Sequence, residues 1–154
     1  MIIENPCHFE CFFRPKEGRK VPRKGKVKSN MKKDITSRED IILMVHTFYD
    51  YVQQDEELDH MFNGIAKLDW EAHMPKMYDF WEAIILKNPV FDGNPMLVHK
   101  ILHSKFPLTK TMFVTWLELF NKTVDELFEG DNAREAKTRA LSIATMIQMK
   151  TIYA

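Results

Sequence analysis

Cysteine is confined to one end of this chain. Cys7 and Cys11 are its two cysteines, and none follows between Met31 and Ala154. That excludes a disulfide or an iron–sulfur cluster from the larger part of the sequence. The Cys7-His8-Phe9-Glu10-Cys11 run offers at most three soft ligands and has no second Cys/His pair, a weak zinc signal. Glycine is also scarce. The five glycines, at 18, 25, 64, 93 and 130, are never adjacent, and no phosphate-cradling loop for a dinucleotide can be built from them. No apolar run approaches the roughly 20 residues that span a bilayer. No apolar stretch follows the basic N-terminal segment as it would in a secretory signal, so a cytoplasmic location is expected. No segment shows the alternating, β-branched pattern of a strand.

Net charge is absent too, but only in the sum. The chain carries 22 Lys/Arg and 22 Asp/Glu. Residues 1–30 hold eight basic residues against three acids, and the remainder holds 14 against 19, so a +5 segment joins a −5 segment near residue 30. Residues 14–30, RPKEGRKVPRKGKVKSN, contain two prolines, two glycines and almost nothing apolar. Such a stretch cannot bury enough surface to offset its ordering entropy and is expected to be disordered. Three readings stay open for it: a tail for nucleic acid or a membrane surface, an extension without its own function, or translated leader ahead of a true start at Met31. No aromatic residues interleave the lysines, and neither a nucleic-acid nor a membrane partner is expected.

What is present is helical. Ser37-Arg38-Glu39-Asp40 fits a capping box, and Ile41, Val45, Phe48, Tyr49 and Val52 then recur at helical spacing, predicting a helix over 37–54. A polar loop carrying Met61, Phe62 and Gly64 is expected next. A second helix is predicted from about Asp69 to Leu86, with Trp70, His73, Met77, Phe80, Trp81 and Ile84 on one face. Asn94 and Pro95 mark the start of a short helix that Pro107 stops. Thr109 caps a long one bearing Phe113, Trp116, Leu117, Phe120, Val124 and Leu127. Glu129-Gly130-Asp131 interrupts, and a last helix over 132–151 presents Ala133, Ala136, Ala140, Ile143, Ala144 and Ile147. The fold class is all-α, one domain over 31–154 preceded by the basic segment 1–30. Periodicity alone leaves bundle and globin-like arrangements open.

Within this helical chain stand Phe48-Tyr49, Trp70-Glu71-Ala72-His73, Phe80-Trp81, the lead-in FDGNPMLVH ending at His99, and Phe113-Val114-Thr115-Trp116. Over roughly residues 31–154 this set resembles the group III truncated haemoglobins. Truncated globins of the other two groups usually carry paired glycines near their helix junctions, which are missing here. The resemblance implies a two-over-two helical sandwich holding one haem b. It implies His99 as the iron ligand, a few residues after the Gly93-Asn94-Pro95 turn. It implies Tyr49, Trp116 and His73 on the distal side, as hydrogen-bond donors to a diatomic ligand. His73 could alternatively gate entry or coordinate the iron. Phe62, Met77, Phe80, Trp81 and Phe91 would contact or support the porphyrin, and Lys100 or Lys105 could pair with its propionates. His8, His46, His60 and His103 are expected on the surface or in loops. Many relatives have a histidine before the phenylalanine of the long helix, where this chain has Met112, a position that need not touch iron.

The expected function is reversible binding of O2, CO and NO by a monomer. Nitric-oxide dioxygenation or peroxide chemistry is the enzymatic alternative, and it would need an electron-donating reductase because no flavin or nicotinamide motif is present. A haem-free helical interaction protein, with the aromatics as core, is the third.

Overall fold

In the computed structural model, residues 31–154 are described, and the expected disorder of the basic segment lies outside them. Six α-helices and one π-helical stretch follow in order, with no strand among the described residues. The first, α1 (Arg38–Val52), begins as the capping box requires. Ser37 Oγ accepts from the Asp40 N–H, and the Asp40 carboxylate accepts in return from the Ser37 N–H at 3.2 Å. Asp40 is 2 % exposed, is further bonded by the Thr36 N–H, and pairs with Lys33.

The expected polar loop after α1 is instead helical. Asp55 accepts from the Leu58 N–H and caps a single turn, α2 (Glu56–Asp59), which runs into the π-helical stretch His60–Ile65. The reason is burial: Leu58 and Met61 are inside the core, and winding the chain satisfies their backbone groups where water cannot. Polar Glu, Asp and Asn residues around those two side chains mask that signal in the sequence.

Asp69 caps α3 (Trp70–Ile85), Asn94 caps α4 (Pro95–Lys105) with Pro95 at its first position, and Thr109 caps α5 (Lys110–Leu127), each through its side-chain oxygen. The last helix, α6 (Asp131–Thr151), has Gly130 at its cap position and no side-chain cap of its own. A residue nearly one hundred positions away replaces it. Asp34 accepts from the backbone N–H groups of Asn132 (3.0 Å) and Ala133 (2.9 Å). Gly130 has φ 150°, and a Cβ there would collide with the Asp34 carboxyl, so glycine permits both the turn and the close approach.

Two helix pairs, α1 with α3 and α5 with α6, pack across each other through α1 on α5 and α3 on α6. This is the expected two-over-two sandwich, an all-α globin fold. Phe48 and Phe120 are fully buried at its centre, with Ile35, Ile41, Met44, Val52 and Val124 around them. Ala133, Ala136, Ala140 and Ala144 form the inner face of α6 and let its backbone approach α5 closely. No helix of the described residues is long and apolar enough to cross a membrane. By contrast α4 buries none of its residues fully; it lies over α6 at one side of the sandwich.

Candidate functional site

Beneath α4 the sandwich leaves a cleft. It is open to solvent at its mouth and narrow within. The walls come from every quarter of the fold: Leu58, Met61 and Phe62 from the α2 region, Met77, Phe80 and Trp81 from α3, His99 and Leu102 from α4, Met112 and Trp116 from α5, Ile147 from α6. Almost all of this surface is apolar. Among the described residues no three His, Cys, Asp or Glu side chains gather as a metal cage.

His99 is the one titratable side chain in that wall. Its Nδ1 lies 2.7 Å from the carbonyl oxygen of Pro95, one turn earlier on α4. A carbonyl only accepts, so Nδ1 carries the proton and donates it, and Nε2 keeps its lone pair. Desolvation by burial pushes the His99 pKa below the ordinary histidine value, against the opposing pull of the Pro95 carbonyl. A neutral ring with one nitrogen anchored and the other free is the state an iron or zinc ligand requires. Pro95 serves twice here, since its fixed φ starts α4 and its carbonyl orients the ring.

A second polar group sits on the α1–α3 side. Tyr49 Oη and His73 Nε2 are 2.9 Å apart. Tyr49 is 6 % exposed and edge-on to Phe62, Trp70 and His73. Burial raises the Tyr49 pKa well above its ordinary value, so the phenol keeps its proton. Burial lowers the His73 pKa to about 4, helped by the charge of Lys76, so the imidazole is neutral. The two form a neutral hydrogen-bonded pair, Tyr49 buried and His73 half-buried.

The structure thus brings His99, Phe62, Met77, Phe80, Trp81 and Trp116 onto one cleft. Tyr49, His73 and Phe91 are not among its lining residues. Tyr49 and His73 meet each other behind Phe62, and Phe91 packs edge-on against Phe80 at 5.1 Å. Lys100 and Lys105 are exposed on α4. His46 and His60 are exposed as expected, whereas His103 is half-buried and its Nδ1 accepts from the Leu108 N–H at 3.0 Å, closing the turn after α4. His8 lies outside the described residues. Sequence reasoning missed Leu58, Met61, Leu102, Leu108, Met112 and Ile147 as cleft residues. An apolar side chain facing a cleft has the same helical spacing as one facing a core, so only Met61, beside Phe62, carried a usable signal.

Behind the cleft the aromatic packing is continuous. Phe120 is stacked between Trp81, with centroids 4.6 Å apart, and Trp116, at 5.5 Å, and Phe48 meets Phe120 edge-on. Two of the walls are therefore fixed by one fully buried ring.

Comparison with known proteins agrees with this geometry. Residues 32–150 match the family described as bacterial-like globin. The group 3 truncated hemoglobin ctb of Campylobacter jejuni is 27% identical over 121 residues, which cover 77% of this chain and 93% of that protein. A crystal structure of the group III truncated hemoglobin from Campylobacter jejuni superposes with a TM-score of 0.69, at 27% identity, over 79% of this chain and 95% of that one.

Proposed function

Because this chain belongs to the bacterial-like globin family, haem binding comes with the family, and we propose that the group is one haem b ligated by Nε2 of His99. The observation that carries this reading is the hydrogen bond from His99 Nδ1 to the Pro95 carbonyl, which leaves Nε2 as the one free ligand nitrogen in an apolar cleft. Phe62, Met77, Phe80 and Trp81 would hold the faces and edge of the ring, with Phe91 supporting Phe80 from outside. Bound haem supplies an iron that takes the diatomic gases O2, CO and NO reversibly.

The chain's own residues set what happens around such a ligand. Trp116 presents an indole N–H, a donor only, from the wall of the cleft. If His73 carries its proton on Nε2, it donates to the Tyr49 oxygen and leaves the phenolic hydrogen free for the ligand side. His73 then acts as the positioning residue and Tyr49 as the donor. Tyr49 is buried and His73 half-buried, and a hydrogen bond held partly out of water is stronger than one in solvent. Trp116 lines the cleft itself, while Tyr49 would have to act from behind Phe62; donation from both would favour slow ligand release over rapid exchange.

The test is an absorption spectrum of the full chain with one equivalent of added haem, in ferric, ferrous and ferrous-CO forms. Stoichiometric uptake and a CO-sensitive Soret band are expected. His99→Gly is expected to lose the wild-type ferrous spectrum and to regain it with added imidazole. Absence of haem uptake by the wild-type chain would overturn the proposal. Uptake with an unchanged spectrum in His99→Gly would overturn the ligand assignment alone.

A further inference from the structure

The two halves of α3 are held very differently. Its buried residues, Trp81, Glu82 and Ile85, all lie beyond Pro75. Its ties to Arg38 of α1 lie there too, through Asp79 at 2.8 Å and through Glu82. Upstream of Pro75, no residue from 68 to 74 is fully buried. Pro75 is the sixth residue of α3, past the first turn where a proline does no harm. It has no N–H to give to the Glu71 carbonyl, its ring crowds that oxygen, and it disfavours helical backbone at Met74. Ahead of the segment, Lys67 stands at φ 47°, in the left-handed region that a lysine enters only under constraint.

Side chains hold the segment down between these two weak backbone positions. Trp70 Nε1 donates to Asn63 Oδ1 at 2.7 Å, and the Asn63 amide is itself fixed by Asp59 at 2.6 Å. His73 meets Tyr49 at 2.9 Å. The Trp70 ring stands edge-on to Tyr49, with centroids 5.3 Å apart, and tilts against Phe62, a wall of the cleft, at 5.9 Å.

We propose that residues 68–74 form a lid, hinged at Lys67 and Pro75, that lifts from Tyr49 and Phe62 and opens the cleft from the α1–α3 side. This is a motion of the backbone, not of the His73 side chain alone. Moving segments are drawn from parts of a fold with few buried apolar contacts, and a few positions at their ends take up the backbone change. The lid keeps its own turn as it moves, because the bonds that fix the turn lie inside it. Asp69 accepts from the Ala72 N–H at 3.2 Å through its side chain and from the His73 N–H at 2.9 Å through its carbonyl. The bonds that must open are those crossing the hinge. By helical geometry the N–H groups of Lys76, Met77 and Tyr78 reach back to the carbonyls of Ala72, His73 and Met74. The lid's part in admitting a diatomic ligand rests on the haem reading; the hinge does not.

Amide hydrogen exchange, followed by NMR on the full chain before and after one equivalent of haem is added, tests the lid. Trp70→Phe keeps a ring and removes the donor to Asn63. It is expected to speed exchange at Lys76, Met77 and Tyr78 by a common factor of about five, the equivalent of one hydrogen bond. The His73 amide, bonded within the lid, and the amides of Trp81 to Ile85 are expected to keep their wild-type rates. Pro75→Ala supplies the missing helical bond and is expected to slow the same three amides about tenfold. Acceleration greatest at His73 would mean a fraying helix end and would overturn the lid, and unchanged rates in Pro75→Ala would overturn the hinge. In the haem-loaded chain, CO association after flash photolysis is expected to quicken in Trp70→Phe and to slow in Pro75→Ala. Unaltered association in both would overturn the lid's part in ligand entry. A chain that takes up no haem refutes the haem reading, and the exchange rates then decide the lid by themselves.

Discussion

Replacing Asp34 with alanine removes the only side chain among the described residues that caps α6, and its effect can be worked out from the geometry. The carboxylate accepts from the N–H groups of Ile35, Asn132 and Ala133 at 2.8, 3.0 and 2.9 Å. Gly130 supplies no cap in its place. Loss of a helix cap costs about 1–2 kcal/mol, and loss of a negative charge at a helix N-terminus about 0.5 kcal/mol. The carboxylate is partly open to water, so the lower half of the summed range, about 1.5–2 kcal/mol, is the expected destabilisation of Asp34→Ala.

Urea unfolding followed by circular dichroism should show this as a lower midpoint with an unchanged slope. The pH dependence makes the attribution specific. Burial tends to raise the Asp34 pKa, but the N–H groups of Asn132, Ala133, Ile35 and Asp131 outweigh it and hold the folded value below the ordinary one. A group depressed in the folded state contributes stability that is present above its unfolded pKa, about 3.9 for Asp. That contribution fades as the pH falls through the folded value. The gap between wild type and Asp34→Ala should therefore be constant near neutrality, shrink below about pH 4 and fall to its uncharged remnant in stronger acid. A cost below about 0.5 kcal/mol at neutral pH, or a gap undiminished in acid, would refute the long-range cap.

Other substitutions separate packing from polarity. Phe120→Ala deletes the fully buried ring between Trp81 and Trp116 and should cost about 3–5 kcal/mol in the same urea assay; it should also shift tryptophan fluorescence. Thr123→Val, equally buried, should cost less than about 1 kcal/mol, because the lost Oγ1 donor leaves Leu119 O with its ordinary helical bond. Lys87, just past the end of α3, has φ 63°; Lys87→Gly should raise stability by up to about 1 kcal/mol by removing left-handed strain, seen as a higher thermal midpoint. Its exposed contact with Glu135, at 3.7 Å, is too weak to reverse that sign. Tyr49→Phe should leave haem uptake intact while speeding ligand release from the ferrous protein, measured by stopped flow; an unchanged rate would remove Tyr49 from the distal role.

The helices and their beginnings were legible in the sequence because their signals are local. Ser37 with Asp40, Asp69, Asn94 with Pro95, and Thr109 each act on backbone groups within four residues, and the structure starts helices at all four places. His99 stood out for a similar reason, since Pro95 both starts α4 and orients the ring one turn later. The α2 and π-helical segment was read as loop because its winding depends on Leu58 and Met61 being covered by helices that come later in the chain. The cap of α6 by Asp34, the meeting of Tyr49 with His73 behind Phe62, and the stacking of Phe120 between two tryptophans join positions from 4 to nearly 100 residues apart. Helical periodicity states which side of a helix is apolar. It does not state whether that side meets another helix or a cleft, and that choice was left to packing, where burial and hydrogen bonding are settled among all the helices at once.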